Sequence, residues 1–221
     1  MDRWATFDCY GTLVDWNAGI CDALAGLLPD VDPGALLVRY HELEPQIEAE
    51  QYRTYADVLA TAATRIADEH GDDLSWERAQ ELPLSLPGWP VFPDVPAALE
   101  DARGRGWRLC ILSNTDRVLL DASLESIGVP FDHSIVAEEV GSYKPAHGHW
   151  ERFYADSGAD RSRHVHVAQS LFHDIAVANE LGLASVRINR LGERAHAAAR
   201  PTRELPGLTG LGATLDELVA P

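Results

Sequence analysis

The chain has 221 residues, of which 18 are Lys or Arg and 35 are Asp or Glu, so its formal charge at pH 7 is -17. That length can bury a sizeable core and fits one large α/β domain or a core with an insertion. The acidic balance excludes a nucleic-acid binder, which needs a basic footprint, and no long apolar span is present to enter a membrane.

In chain order, Trp4-Ala5-Thr6-Phe7 is a short β-prone run that ends at Asp8, and Gly11 then permits a turn conformation that residues with a side chain avoid. An aspartate between an apolar strand and a glycine turn faces a cleft and reads as a nucleophile; the alternative is a turn cap. Roughly ninety residues rich in Ala, Leu and Glu precede the next strand, far more than an ordinary crossover takes. Apolar residues at helical spacing predict helices over 17–28, 34–51, 55–70 and 75–84, with Pro29, Pro33 and Gly71 as breaks. A four-helix cap inserted at residues 16–90 is the expectation, with the core at 1–15 and 91–221. The prolines of Pro87-Gly88-Trp89-Pro90 and Phe92-Pro93 mark the return, because clustered proline forbids a continued helix.

Further β-rich runs at 108–112, 134–137, 164–168 and 184–188 alternate with helices predicted over 95–104, 117–127, 149–157 and 174–181. Gly106, Gly128, Gly158 and Gly182 fall where left-handed helix stops belong. This alternation predicts an α/β fold, a parallel sheet with helices on both faces. The tail over 191–212, rich in Arg, Ala, Gly and Pro, reads as surface loop with one short helix. Its Gly207-Leu208-Thr209-Gly210-Leu211-Gly212 run lacks the spacing and the leading strand of a dinucleotide site.

Ligands of an open parallel sheet bind at the carboxyl ends of its strands. Asp8 follows the first strand, Ser113 and Asn114 the second, Lys144 lies in the loop after the third, and Ser170 and Asp174 follow the fourth. A cation beside Asp8 would keep it ionised, and Lys144 is the candidate. Ser113 and Asn114 also suit a helix cap. Arg39, on a predicted cap helix, offers fixed donors to a halide or carboxylate, or else pairs with Glu42 along its own helix. His173 titrates near neutrality and reads as a base or donor beside Asp174, or as a helix-entry residue. His147, His149, His164 and His166 lack partners at metal spacing and read as structural or exposed. Trp4, Trp16 and Trp89 read as packing.

Phe7-Asp8-Cys9-Tyr10-Gly11-Thr12-Leu13-Val14-Asp15 resembles the first motif of the haloacid dehalogenase (HAD) superfamily. Ile111-Leu112-Ser113-Asn114, Ser142-Tyr143-Lys144-Pro145 and the run from Val167 to Asp174 resemble its second, third and fourth. The resemblance covers the chain up to Asn189 and implies a HAD-like Rossmannoid parallel-sheet core with an inserted helical cap. The superfamily's phosphatases carry a general-acid aspartate where this chain has Tyr10, a phenol of unperturbed pKa about 10 and a poor acid at neutral pH. The 2-haloacid dehalogenases carry an aromatic residue there, and a departing halide needs no proton.

Resemblance to the L-2-haloacid dehalogenases implies that Asp8 attacks the halogen-bearing carbon and forms an ester. Arg39 and Asn114 would hold the halide, and Tyr10, Thr12, Ser113 and Ser170 would contact substrate and carboxylates. Lys144 would neutralise Asp8, while Asp174 with His173 would direct the hydrolytic water. The implied substrate is a small anionic 2-haloalkanoic acid, fluoroacetate among the candidates, with no metal or cofactor and with a homodimer as the assembly. Leu171, His173 and Trp150 depart from the family pattern of Asn, an aromatic and Tyr. Two alternatives remain: a phosphatase holding Mg2+ through Asp8 and Asp174, and a non-catalytic binding protein on the same fold. Three scattered cysteines, Cys9, Cys21 and Cys110, and an N-terminus without an export pattern lead us to expect a cytoplasmic protein.

Overall fold

The computed structural model describes residues 2–194 and 199–221. Strand β1 (Arg3–Phe7) is buried along its whole length, as a strand covered on both faces must be. The chain then leaves the core for five helices: α1 (Trp16–Leu27), α2 (Pro33–Glu50), α3 (Tyr55–Glu69), α4 (Trp76–Ala79) and α5 (Glu81–Ser85). The side chains of Asp15, Asp32, Thr54 and Ser75 cap the first four by accepting a backbone N–H two or three residues into each helix, which satisfies donors that otherwise lack partners. The single helix expected over 75–84 is divided at Gln80. Pro83 within α5 has no N–H for the carbonyl four residues earlier, and its ring crowds that carbonyl.

The exit and return of the chain lie side by side. Val14 and Val91 form an antiparallel bridge, the Asp15 N–H donates to the Pro90 carbonyl at 2.7 Å, and the Phe92 N–H donates to the Leu13 carbonyl at 3.0 Å. From there the elements are α6 (Val95–Gly104), β2 (Trp107–Ser113), α7 (Arg117–Ile127), β3 (His133–Val136), α8 (Ala137–Val140), α9 (Gly148–Ser157), β4 (His164–Ala168), α10 (Ala176–Glu180), β5 (Ala184–Ile188), β6 (Arg203–Leu205) and α11 (Leu211–Leu218). The six strands are ordered β3-β2-β1-β4-β5-β6, and every pairing is parallel. The chain winds outward from β1 to β3 and then returns across β1 to β4. Between β1 and β4 the winding direction reverses, which opens the crevice where such sheets bind ligands.

Phe7 lies in register with Ile111 on one side and Val167 on the other, so the residues that follow these three strands emerge at one edge. One apolar cluster runs from the sheet into the cap, joining Phe7 and Leu13 to Ile20, Leu24, Tyr40 and Val58. A second, around Trp4, Trp150 and Phe153, holds α9 to the opposite face.

The expected tail loop differs. β6 extends the sheet beside β5, and α11 packs Leu211 and Leu215 into the core. A three-residue edge strand of Arg, Glu and Leu is too short to display a period of two. Residues 195–198 of that expected loop lie outside the described residues. The helix expected from Asp174 begins earlier, as a π-helical turn over Leu171–Ile175 that passes into α10. Among the described residues no helix is long and apolar enough to cross a membrane.

Candidate active site

Asp8 leaves the end of β1 into a turn in which Gly11 has a φ of 86°, a conformation that favours glycine. Asp8 Oδ2 accepts from the Thr12 hydroxyl at 2.7 Å, and Thr12 Oγ1 accepts the Gln169 N–H at 2.9 Å. The loop after β1 is thereby locked to the loop after β4. Lys144 Nζ donates to Asp8 Oδ1 at 2.9 Å, to Asp174 Oδ1 at 2.7 Å and to the Leu112 carbonyl at 2.9 Å. All three ammonium protons are used, and the side chain is 1% exposed.

Burial would push the Lys144 ammonium down, but Asp174 and Asp8 outweigh it and raise its pKa. Burial likewise pushes both carboxyls up. At Asp174 the Lys144 charge and the His166 hydrogen bond prevail and hold it well below the usual carboxylate range. At Asp8 burial prevails over Lys144, and the nearby Asp174 charge adds to the rise. Asp174 is thus a fixed anion whose Oδ2 is buried and, among the described residues, without a partner. Ser113 Oγ is likewise buried and unpartnered, and both residues line the cleft.

Asn114 clamps the backbone of Lys144, donating to its carbonyl at 3.0 Å and accepting its N–H at 2.6 Å. Ser170 caps the π-helical turn by accepting the His173 N–H at 3.0 Å, and its hydroxyl lies 3.3 Å from His173 Nδ1. Among the described residues no protein group bonds His173 Nε2. Burial pulls the His173 imidazole down, so it is neutral at pH 7. The Tyr10 ring stacks on Tyr55 and meets Trp89 edge-on, while its hydroxyl lies 3.0 Å from Ser123 Oγ. Burial pushes that phenol far up, so Tyr10 contributes a wall and no proton.

Asp8, Tyr10, Ser113, Asn114, Lys144, Ser170, His173 and Asp174 line a cleft of about 670 Å³ between cap and core. Among the described residues no group of three or more His, Cys, Asp or Glu is placed to hold a metal ion. The bridging place between Asp8 and Asp174 is taken by the Lys144 ammonium.

Residues 3–182 match the family model described as haloacid dehalogenase-like hydrolase. The chain belongs to the haloacid dehalogenase-like hydrolases. It is 30% identical over 194 residues to the (S)-2-haloacid dehalogenase of Pseudomonas sp. (strain YL), a match covering 84% of this chain and 82% of that one. The haloacetate dehalogenase H-2 of Moraxella sp. (strain B) is 29% identical over 192 residues, covering 84% and 85%. In fold it follows the L-2-haloacid dehalogenase of Xanthobacter autotrophicus, with a TM-score of 0.87, 18% identity, and 97% and 98% of the two chains covered.

One expectation about this haloacid dehalogenase-like hydrolase fails in the structure. Arg39 is not among the residues lining the cleft; its guanidinium donates to Glu69 at 2.8 and 2.6 Å and to Glu42 at 2.7 Å on the cap surface. The buried stripe of α2 is Leu36, Tyr40, Leu43 and Ile47, and a helix turns about 100° per residue, so the position before Tyr40 is carried off that stripe. The cap instead brings His41, Glu44 and Glu48 to the cleft, and the core adds Arg190. Glu44 accepts from the Tyr55 and Tyr40 hydroxyls at 2.8 and 3.0 Å. Burial pushes its carboxyl up to about 7, and burial with the Glu44 charge pushes Glu48 up to about 9. The sequence held a signal for both, since Tyr40, Glu44 and Glu48 recur every fourth residue on one helix face.

Proposed function

We propose that this hydrolase cleaves the carbon–halogen bond of short 2-haloalkanoic acids through an ester on Asp8. What carries the reading is the array in which one ammonium holds both Asp8 and Asp174 while Asp174 Oδ2 stays free. An Asp8 oxygen forms the bond to the substrate's second carbon, and the halide leaves with the bonding pair. Fixed positive charge beside a buried carboxylate opposes the neutralising effect of burial and so favours the ionised nucleophile.

In the second half, water adds to the Asp8 carbonyl carbon. Asp174 Oδ2 orients that water, and the neutral His173 takes its proton. Lys144 at Asp8 Oδ1 and Thr12 at Asp8 Oδ2 place one donor on each oxygen, so whichever becomes the oxyanion meets a preorganised donor. Collapse breaks the ester, the product alkoxide takes one proton, a second passes to solvent, and Asp8 returns as a carboxylate. A neutral imidazole still carries one N–H, and its donation by His173 to a strongly hydrated leaving group in the first half-reaction extends the reading to fluoroacetate.

The test is halide release from chloroacetate, fluoroacetate and both 2-chloropropionate enantiomers in EDTA, with Asp8→Asn as control and intact-protein mass recorded during turnover. Chelator-insensitive release, a mass adduct on the wild type and silence in Asp8→Asn are expected. Silence of the wild type on every haloacid, or release that depends on magnesium, would overturn the proposal.

A further inference from the structure

Thr6, His164 and His166 belong to β1 and β4, where Thr6 and His166 are register partners. Side chains two residues apart share one face of a strand, so both imidazoles reach the same hydroxyl. Thr6 Oγ1 lies 2.7 Å from His166 Nδ1 and 2.7 Å from His164 Nε2. The far nitrogen of His164, Nδ1, is 2.6 Å from the Tyr154 hydroxyl, and the far nitrogen of His166, Nε2, is 3.0 Å from Asp174 Oδ1. Thr6, His164, His166 and Asp174 are all buried, and the ring of Trp150 closes over His166 at 5.3 Å.

The donor directions follow from the Asp174 end. Its ionised carboxylate only accepts, so His166 Nε2 carries a proton and donates. In the single-proton tautomer that makes this donation, His166 Nδ1 accepts from the Thr6 hydroxyl. Thr6 Oγ1 in turn accepts from His164 Nε2, and His164 Nδ1 accepts from Tyr154. Burial pushes His164 down to about 3, in keeping with a neutral ring. The result is a one-way chain of donors from Tyr154 through β4 and β1 to the carboxylate at the cleft.

We propose that His166 is a positioning residue for ester hydrolysis, its Nε2–H and the Lys144 ammonium together occupying Asp174 Oδ1 so that Oδ2 is the oxygen that takes the attacking water. Thr6, His164 and Tyr154 fix the tautomer that makes this donation. The inference rests on the ester mechanism proposed above. Halide displacement by Asp8 makes no use of Asp174 Oδ2, so loss of the chain slows only the second half-reaction and the ester accumulates.

The experiment compares Thr6→Val with Thr6→Ser, and His166→Leu with His166→Gln, by rapid-quench halide release and intact-protein mass on chloroacetate. Thr6→Val and His166→Leu should retain a halide burst of about one per active site and lose on the order of 100-fold in steady-state rate, the size of effect expected of a misplaced reacting group. Thr6→Ser and His166→Gln, which keep the hydroxyl and the donor, should recover most of it. A purely structural Thr6 predicts the reverse order, since valine suits a buried strand better than serine. Equal slowing of burst and turnover, or unaltered turnover in Thr6→Val, would sink the inference while leaving the ester mechanism standing. A wild type that releases no halide would sink both.

Discussion

The Asp116 carboxylate of the core accepts the backbone N–H groups of Tyr55 and Ala56, each at 2.8 Å, and so closes the N-terminus of α3 in the cap. Tyr143 adds a second tie, donating to the Arg53 carbonyl at 2.9 Å. Charge-assisted bonds to a helix N-terminus are worth about 1–2 kcal/mol. Asp116→Ala should therefore loosen the seating of Tyr55 over the cleft, raising KM for chloroacetate about tenfold with a smaller fall in kcat. Steady-state kinetics with circular dichroism as a fold control checks this, and an unchanged KM would mean that the cap is held by apolar packing alone.

Arg39 serves as a surface ion pair in this structure, one-third exposed and shared by Glu42 and Glu69. Such pairs are screened by solvent and contribute little. Arg39→Ala should keep kcat/KM within about threefold of wild type and leave the urea midpoint close to that of wild type. A loss of two orders of magnitude in kcat would instead place this guanidinium on the substrate during turnover.

Arg39 separates what a motif carries from what a helix face carries. Asp8 and Ser113 are legible because they sit at the ends of apolar strand runs, Lys144 and Asp174 because they sit in the segments that follow the next two, and parallel register brings those strand ends to one edge. The cap's contribution depends on the rotation of α2 by single residues, where a step of one is about 100°, and the motif text around Arg39 does not encode that rotation. The β6 edge strand escaped for lack of length, and the division of α4 from α5 was legible in Pro83 but outweighed by the apolar spacing around it. His164 and His166 were read as structural or exposed. They are buried, yet their connection to Asp174 runs through Thr6 on another strand, a relationship visible only in the register of β1 and β4.

Glu44 and Glu48 give the cleft a pH-dependent charge. With Glu44 pushed up to about 7 and Glu48 to about 9, both carboxyls are largely neutral at pH 6 and become anions as pH rises. Each new anion repels a substrate carboxylate by a few kcal/mol at most at protein-like dielectric. KM for chloroacetate should thus rise about tenfold from pH 6 to pH 9, in two steps. Glu44→Gln should remove the lower step. A flat KM profile in the wild type would show that these carboxyls stay clear of the substrate.

Two buried histidines, His164 and His149, should work against stability in acid. His164 is pushed down to about 3 by burial and the neighbouring His166, and His149, whose Nε2 donates to the Ser113 carbonyl at 3.1 Å, is pushed down to about 4 by burial and the Lys144 charge. In the unfolded chain both would titrate at about 6.5. Between about 6.5 and the folded values the unfolded state binds more protons than the folded one, so stability is full above pH 6.5 and is lost as pH falls. At about 1.4 kcal/mol per unit and per group, His164 alone accounts for on the order of 3 kcal/mol by pH 4. Over the same range Glu44 and Glu48, raised by burial, bind protons in the folded state that the unfolded chain lacks and so oppose this loss down to about pH 4.5, which makes the comparison with a variant the decisive reading of urea midpoints from pH 7.5 to pH 4. In His149→Gln, which keeps a hydrogen-bonding side chain but cannot titrate, the acid slope should differ from that of the wild type by about one proton. If wild type and variant give the same slope, the acid loss originates elsewhere, with protonation of the surface carboxylates that pair the arginines as the first place to look.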